Sequence, residues 1–359
     1  MVLGPNGLIL RARQARIEYT NAQTDEVAQI DNATEYIDEM VGGFNTASDF
    51  ITEWTVNDNQ VFALPISITD EGNDFEVNWG DGSPTEHITG ELASLPTHTY
   101  ETAGTYQLRI RGKCPYFCMH YLEDNYSEQM NQLTRLVNWG EIEAEAYEFA
   151  GATYLAGSIP SPQTNTFENY DETVEYLFSD TSITSIPANL FSDLPDTVVH
   201  FNNVFYGTEI TSIPENLFAN CTNAISFCKT FKHCDNLTAV PENLFANCTE
   251  ATDFTETFDD SGLTSIPAGL FANNTKATTF ESTFEDLREI ESVPETLFDA
   301  CVNATNFRYT FYNDGNLKTG PRLWEKTIPA GIDGTGCYGE CESLEMTGMS
   351  AVWTQEKTE

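Results

Sequence analysis

Residues 210–218 read Ile-Thr-Ser-Ile-Pro-Glu-Asn-Leu-Phe, and residues 237–245 read Leu-Thr-Ala-Val-Pro-Glu-Asn-Leu-Phe. This pattern occurs five times, and successive prolines are separated by 26 or 27 residues. The prolines are Pro187, Pro214, Pro241, Pro267 and Pro294, and Pro160 and Pro321 extend the series at both ends. A single unit exposes its apolar face, so successive units must stack to bury it. The period therefore predicts a solenoid of 26–27-residue coils over residues 151–321.

Apolar columns keep the same register as the prolines. Each unit has Leu-Phe after its proline and then two phenylalanines four residues apart: Phe201/Phe205, Phe227/Phe231, Phe254/Phe258, Phe280/Phe284 and Phe307/Phe311. We predict a strand-like segment that stops at each proline, a short helix that starts there, and a second helical turn with the phenylalanine pair on one face. Strand pairing would space the coils by about 4.8 Å. These columns are core packing and carry no chemistry.

A polar position recurs between the apolar columns, three residues before the proline. Four units have threonine there: Thr184, Thr211, Thr238 and Thr264. We predict that this row is a binding surface on the sheet face. A solvated strand face explains the row equally well.

The chain ahead of the repeats has a different pattern. Residues 48–113 alternate apolar and polar side chains in short runs separated by turn signals, which predicts a small antiparallel β-sandwich. Within it stand Trp79-Gly80-Asp81-Gly82-Ser83, then His98-Thr99-Tyr100, then Gly104-Thr105-Tyr106. These motifs resemble the polycystic-kidney-disease (PKD) type of immunoglobulin-like domain.

A wider resemblance covers residues 48–330. Trp139-Gly140-Glu141-Ile142 and Phe149-Ala150-Gly151, followed by the Ile-Pro repeats, resemble the BspA-like leucine-rich-repeat surface proteins. The resemblance implies adhesion and ligand binding at surfaces, without catalysis. We assign residues 114–150 to a connector and N-terminal cap, and residues 322–359 to a C-terminal cap. The predicted fold class is mixed and β-rich.

Residues 1–47 fit neither pattern and are assigned to attachment and oligomerisation. Three arginines precede a seam with the spacing of a coiled coil. The arginines are Arg11, Arg13 and Arg16, and the seam residues are Val27, Ile30, Thr34, Ile37 and Val41. Such a seam favours a homo-oligomer, for which we prefer a trimer. The alternative is an amphipathic helix that packs on the protein's own sandwich.

The charge of the chain restricts its partners. Acidic residues outnumber basic ones by 56 to 16, which gives a net charge of −40 and argues against nucleic acid and anionic lipid as ligands. No apolar stretch approaches the roughly 20 residues of a membrane span. The N-terminus does not fit a secretion signal, because its basic residues follow the apolar stretch. We therefore expect a protein that is released by cell lysis.

Chemical motifs are mostly missing. No nucleophile, zinc-protease or phosphate-loop motif is found, and none of the five histidines has a metal-ligand spacing, so we predict no enzyme, cofactor or metal. Asp70, Asp74 and Asp81 either gather around calcium or form turns, and turns are the preferred interpretation.

The cysteines fall into two groups. Cys221, Cys248 and Cys301 stand seven residues after a repeat proline and are predicted to be buried thiols, with Asn274 in that place in the intervening unit. Cys114/Cys118 and Cys337/Cys341 have a C-x3-C spacing, for which disulfides, free thiols and metal ligands all stay open.

These observations predict a non-enzymatic virion protein: a head fibre, a capsid decoration protein or a tail receptor-binding protein. Residues 1–47 would bind capsid or tail proteins, and the solenoid would bind a host-surface glycan or protein. The alternative is a BspA-like adhesin on a bacterial cell surface. A remote alternative is an accessory module of a polysaccharide-degrading enzyme.

Overall fold

The computed structural model describes residues 47–122, 126–164, 166–170, 172–325, 331–345 and 347–357. The arginines and the seam predicted to mediate attachment therefore lie outside the described residues. Within the described ranges the chain is rich in strands and short turns, and its one α-helix, α1, has four residues, Ser127–Met130. The β-rich prediction is confirmed.

Five strands form an antiparallel sheet ahead of the repeats: β1 (Phe50–Val56), β3 (Asp74–Asn78), β4 (Glu86–Thr89), β6 (Gly104–Lys113) and β8 (Leu133–Asn138). Their order is β4-β3-β6-β1-β8. Two further strands, β2 (Gln60–Ala63) and β5 (Thr97–Tyr100), form an antiparallel pair. β8 lies in the segment assigned to the connector, yet it pairs with β1, so the sheet draws on chain beyond residue 113.

Aromatic side chains fill the interior beside these strands. Trp54, Phe62 and Trp79 are fully buried, and the ring of Phe62 makes edge contacts with Trp54, Trp79 and Tyr100. The Tyr100 hydroxyl donates to the Trp79 carbonyl at 2.8 Å, so the Trp-Gly-Asp-Gly turn is tied to β5. The alternating pattern of the sequence thus places one face of the strands in the core.

A short parallel pair leads into the repeats. β7 (Tyr116–Cys118) pairs with β9 (Ala146–Glu148), and a 3-10 helix, Met119–Leu122, follows β7 directly. The N–H of Phe149 then donates to the carbonyl of Leu177 at 2.9 Å, which is the first backbone contact of the repeat type. The buried side chains of the leading strands and of the repeats form one continuous apolar cluster.

The backbone of each repeat is hydrogen-bonded to the next through the segment with the phenylalanine pair. Alternate N–H groups donate to residues 25 or 26 positions further on, as from Phe227, Lys229, Phe231 and His233 to Asp253, Thr255, Thr257 and Asp259, at 2.9–3.0 Å. Parallel bridges join the residue before the first phenylalanine position in successive repeats, a position that holds Val174 in the first of these repeats and Gly334 in the last: Thr173, His200, Ser226, Asp253, Thr279, Asn306 and Asp333. The main ladder therefore lies here.

The prediction of a strand before each proline is wrong for most coils. It forms over Ser182–Ser185 (β11), which pairs in parallel with β10 (Ala156–Ser158), and a further bridge joins Ser292 to Thr319. Elsewhere the segment has isolated backbone hydrogen bonds, from Thr211 N–H to the Thr184 carbonyl at 3.3 Å and from Thr264 N–H to the Thr238 carbonyl at 3.0 Å. Isolated bonds are too few for a ladder.

The predicted helices are also wrong, because both segments form successive tight turns. Leu217 N–H donates to the Pro214 carbonyl at 3.1 Å, and Thr230 N–H donates to the Phe227 carbonyl at 3.2 Å. In both cases donor and acceptor are three residues apart, as in a tight turn. In the phenylalanine segment two residues per coil have a left-handed backbone, as Lys229 and His233 do with φ of 57°. A left-handed residue interrupts α-helical hydrogen bonding, and this leaves alternate N–H groups to bond the next coil.

Three columns of phenylalanine rings stack along the repeats. The columns run from Phe201 to Phe307, from Phe205 to Phe311 and from Phe191 to Phe298. In each column the centroids of neighbouring rings are 5.4–6.0 Å apart. The predicted core columns are confirmed in register and in burial.

The repeat pattern continues into the segment assigned to the C-terminal cap. Tyr338 stacks on Phe311 at 5.5 Å, and both Gly336 and Glu340 are left-handed, as the equivalent residues of earlier coils are. Two 3-10 helices, Leu323–Glu325 and Ala351–Thr354, flank this last turn. No helix in the described ranges is both long and apolar enough to cross a membrane.

Candidate functional site

The predicted threonine row is exposed. Thr184, Thr211, Thr238 and Thr264 all face solvent. The N–H of Thr211 donates to the carbonyl of Thr184 at 3.3 Å, and Thr264 bonds Thr238 in the same way, so these neighbours are held side by side. The backbone contacts thus hold the row in two side-by-side pairs, and the Thr264 hydroxyl donates to the Thr238 carbonyl at 3.3 Å.

A second threonine row was missed by the sequence analysis. Thr252, Thr278 and Thr305 stand two residues before a repeat phenylalanine, and each N–H donates to the preceding coil, from Thr278 to Thr252 at 2.9 Å and from Thr305 to Thr278 at 3.0 Å. Thr278 and Thr305 are exposed, and Thr252 is half-buried. Their regular distance from the phenylalanine column was the available signal.

Other threonines at a fixed repeat position are buried and serve the core. Thr230, Thr257, Thr283 and Thr310 follow the first phenylalanine by three residues and are fully buried. The Thr257 hydroxyl, for example, lies 2.8 Å from the Phe254 carbonyl and 3.0 Å from the Phe227 carbonyl of the preceding coil. A threonine column is therefore not in itself a sign of a binding surface.

Charged side chains form a cluster between neighbouring coils. The Lys232 ammonium lies 2.5 Å from Glu256 and 2.6 Å from Asp259. Burial raises the pKa of Asp259 to about 7 in spite of Lys232. Burial also acts to raise the pKa of Glu256, but the hydrogen bond and charge of Lys232 outweigh it and lower that pKa. The cluster is an ion pair between coils with one carboxylate that is hard to ionise.

A fully buried carboxyl group lies near the last coils. Asp314 Oδ1 accepts the N–H of Leu287 at 2.8 Å. Burial raises the pKa of Asp314 well above its usual range, and the acidic groups of Asp286 and Glu285 add to the effect. Leu287 occupies the equivalent position one coil earlier and has an apolar side chain. The Asp314 carboxyl group therefore bonds the Leu287 backbone N–H across the two coils.

The aspartates considered for calcium each have a local partner. Asp70 Oδ1 accepts the N–H of Gly72 at 2.5 Å, Asp74 lies 2.7 Å from His87, and Asp81 accepts the N–H of Ser83 at 2.9 Å and lies 2.8 Å from His98. These contacts favour the turn-forming interpretation. Beside Asp81 and His98 lies an open cavity of about 420 Å³.

All nine cysteines lie in the described part of the chain, and no disulfide joins any of them. Cys221, Cys248 and Cys301 are buried, as predicted for their column. Asn274 takes the same place and donates to the carbonyls of Phe245 and Cys248 at 3.2 and 2.8 Å. Burial raises the pKa of the Cys114, Cys118, Cys337 and Cys341 thiols, which favours their neutral form.

One group of side chains has the composition of a metal site. Cys118, His120 and Glu148 bring a sulfur, a ring nitrogen and a carboxylate oxygen within 4.8 Å of one another, the one such group of three or more found in the described ranges. From sequence, Cys118 stayed open as a metal ligand because of its C-x3-C spacing with Cys114, whereas no local pattern connected it with His120 or Glu148. The parallel pairing of β7 with β9 brings them together.

Comparisons with known proteins concern the repeats. Residues 145–252 and 184–314 match a family described as the BspA type leucine rich repeat region, in six copies. No curated protein matches the chain. One chain in a solved structure of the Toll–Spatzle complex, described as a molecular hub in Drosophila development and innate immunity, is 15% identical, and the match covers 61% of this chain and 33% of that one.

With a TM-score of 0.25, that structural likeness carries no argument, and this chain spans about a third of that chain's length. The family match is the informative comparison, because it falls on the residues whose period predicted the repeats. BspA-type repeats are typical of surface-exposed proteins. The repeat region of this chain is therefore similar to the BspA type of leucine-rich repeat, which suggests a repeat protein of the surface-adhesion type.

Proposed function

We propose that this chain is a non-enzymatic adhesion protein whose repeats form a solenoid with a ligand-binding surface. The exposed row of Thr184, Thr211, Thr238 and Thr264 is the observation that carries the proposal. Their coils are bonded to one another by backbone and stacked on phenylalanine columns, so the hydroxyl groups keep a fixed spacing. A preorganised row binds a repeating ligand with little loss of conformational entropy.

The ligand we propose is a neutral glycan on a host or environmental surface, with a surface protein as the alternative. The net charge of −40 opposes binding to anionic polymers. Threonine hydroxyls donate and accept hydrogen bonds, as sugar hydroxyls do, and their methyl groups contact the apolar faces of sugar rings. In this proposal the strands ahead of the repeats form a PKD-like sandwich that spaces the solenoid from its anchor.

For its location we propose a virion, where residues 1–47 bind capsid or tail proteins. A bacterial cell-surface adhesin is supported equally well by the BspA-type repeats. Mass spectrometry of purified phage particles separates the two, since the virion proposal requires peptides of this chain in the particle. Their presence only in a bacterial envelope fraction would establish the adhesin.

Glycan binding can be tested on an array of neutral and anionic glycans with the fluorescently labelled full chain. We expect binding to a subset of neutral glycans and at least about a tenfold loss in the Thr184→Ala, Thr211→Ala, Thr238→Ala, Thr264→Ala variant, since each lost hydrogen bond contributes about 1 kcal/mol. The matched control is Thr252→Ala, Thr278→Ala, Thr305→Ala, in the second row.

The control should bind as the wild type does. Equal loss in both variants, or no binding to any arrayed glycan, would contradict the assignment of the first row. Release of sugar fragments from a bound glycan would contradict the non-enzymatic proposal and support the polysaccharide-degrading alternative.

A further inference from the structure

We propose that Cys118, His120 and Glu148 form a site for a divalent transition metal, zinc in preference to others, which fastens two strands of the connector together at the entry to the repeats. The inference is independent of the adhesive function. It rests on the geometry of three side chains from three elements: β7, the 3-10 helix that follows it, and β9, which pairs with β7.

The parallel strands β7 and β9 fix the first two ligands. Cys118 and Glu148 are direct partners in the register of this pair, with Phe117 opposite Tyr147 and Tyr116 opposite Ala146. His120 follows two residues after Cys118, in the 3-10 helix Met119–Leu122. Its Nδ1 lies 2.8 Å from Glu148 Oε2, and all three ligand atoms lie within 4.8 Å of one another.

The donor set selects the metal. Thiolate, imidazole and carboxylate together suit zinc, whereas calcium and magnesium prefer oxygen ligands alone. Zinc binds sulfur at about 2.3 Å and nitrogen at about 2.0 Å, so ligands around one ion are roughly 3–4 Å apart. The three ligand atoms lie within 4.8 Å of one another, so metal binding would require them to move by only about 1 Å.

The site has an open side for the metal to enter. The Cys118 thiol is buried, whereas the side chains of His120 and Glu148 are 44% and 23% exposed. The Cys118 thiol donates one hydrogen bond to backbone, to the Ala146 carbonyl, and this bond is long at 3.9 Å. The sulfur can therefore turn toward a metal at little cost. Three protein ligands and one open position accommodate a water as the fourth ligand.

The ordinary interpretation is a histidine–carboxylate ion pair beside a buried thiol. Similar pairs join His87 to Asp74, His98 to Asp81 and His233 to Asp260. None of those pairs belongs to a group with a third metal-binding side chain in the part of the chain that the structure describes. These three pairs therefore serve as internal controls, because each has the histidine–carboxylate contact without a third metal-binding side chain.

A bound metal would act at the entry to the repeats. Glu148 precedes Phe149, whose N–H bonds the Leu177 carbonyl and whose ring stacks on Phe178 at 5.6 Å. A metal that ties Glu148 to Cys118 and His120 would fix β9 against β7, and with β9 the neighbouring Phe149 that bonds the first coil. We therefore expect metal to stabilise the folded chain, because a ligand that binds only the folded state raises its stability.

The test uses the untagged full chain, stripped with a chelator, and titrates it with Co²⁺ as a spectroscopic substitute for zinc. We expect one equivalent to bind with a thiolate-to-cobalt charge-transfer band, and Zn²⁺ to displace it. Zn²⁺ should also raise the Tm. Cys118→Ser should lose the band, and His120→Ala and Glu148→Gln should each bind at least about tenfold more weakly.

His87→Ala is the matched control, since it breaks an exposed histidine–carboxylate pair elsewhere and should bind as the wild type does. A cobalt complex without the thiolate band would overturn the proposal. So would equal affinity in His120→Ala and His87→Ala, or an unchanged Tm with Zn²⁺ in a wild-type chain that is shown by circular dichroism to be folded.

Discussion

Single buried hydroxyl groups connect the coils, and Thr257 shows how much each contributes. Its hydroxyl reaches the carbonyls of Phe227 and Phe254, but both acceptors have other donors, namely Thr230 and Thr283. Thr257→Val therefore removes a hydrogen bond without leaving a bare carbonyl. We expect a loss of about 1 kcal/mol in the free energy of unfolding, measured by urea denaturation.

Thr249→Val is the control for Thr257→Val. Thr249 is exposed, and the equivalent residue two coils later is Val302, which is 61% exposed. This position already accepts valine, so we expect a change within about 0.5 kcal/mol. A loss of 3 kcal/mol or more at Thr257, typical of buried groups left without a partner, would show that the carbonyls depend on this hydroxyl alone.

The buried Asp314 should make stability depend on pH. Its pKa is raised in the folded chain, so above about pH 4 the unfolded chain releases this proton while the folded chain retains it. Stability therefore falls as pH rises, by up to about 1.4 kcal/mol per pH unit, until the folded group ionises. Asp314→Asn keeps the acceptor for Leu287 N–H and should lose this dependence.

The measurement is urea unfolding of both proteins between about pH 4.5 and 7.5, with Asp235→Asn as an exposed control. The stability of Asp314→Asn relative to wild type should increase with pH, and Asp235→Asn measures how far the loss of any one carboxylate from this acidic chain changes the same curve. A constant difference for Asp314→Asn would mean that this carboxyl group ionises in the folded chain as readily as in the unfolded one.

At the scale of elements, the left-handed turns of the phenylalanine segment determine how coils join. Tyr176 has φ of 58° and is 46% exposed, so its side chain contributes little packing while its backbone is strained. Tyr176→Gly should be about 1 kcal/mol more stable than Tyr176→Ala, since glycine adopts this conformation without steric cost. Thermal unfolding of the two variants measures the difference.

Tyr154 offers the matched comparison, because it is 65% exposed and its φ is not positive. There we expect the opposite order, with the alanine variant more stable than the glycine variant by about 0.5–1 kcal/mol. The same order at both positions would refute a role for left-handed strain at Tyr176.

The elements also show what the sequence could predict. The phenylalanine and leucine columns were predictable, since burial imposes one residue type at one period. The turns were not predicted, because the first left-handed position varies from coil to coil and holds Lys229, Glu256 or Tyr309, which carry no turn signal, although the second position often holds a turn former such as Gly207 or Asn313. The Cys118–His120–Glu148 group depends on the pairing of β7 with β9, and no local pattern reveals that pairing.

At the scale of the whole molecule, charge and stacking act against each other. With 56 acidic and 16 basic residues, neighbouring coils repel, and ion pairs such as Lys276 with Glu250 and Lys318 with Glu291 offset only part of this. The continuous apolar cluster supplies the attraction that holds the coils together. The same repulsion would keep separate copies of this chain apart. An oligomer therefore needs a specific contact between chains that outweighs the repulsion.

We predict that residues 1–47 supply that contact, and that the full chain in solution has a mass near three times that of one chain. Multi-angle light scattering measures it directly. Ile30→Asp with Ile37→Asp places charges on the predicted seam and should give the mass of a single chain, because an apolar seam does not tolerate buried unpaired charge. Gln29→Asp with Asn32→Asp adds the same charge off the seam and should leave the trimer intact. A monomeric wild-type chain, or dissociation by both double variants alike, would remove the assembly role of this segment and favour the single-chain surface adhesin.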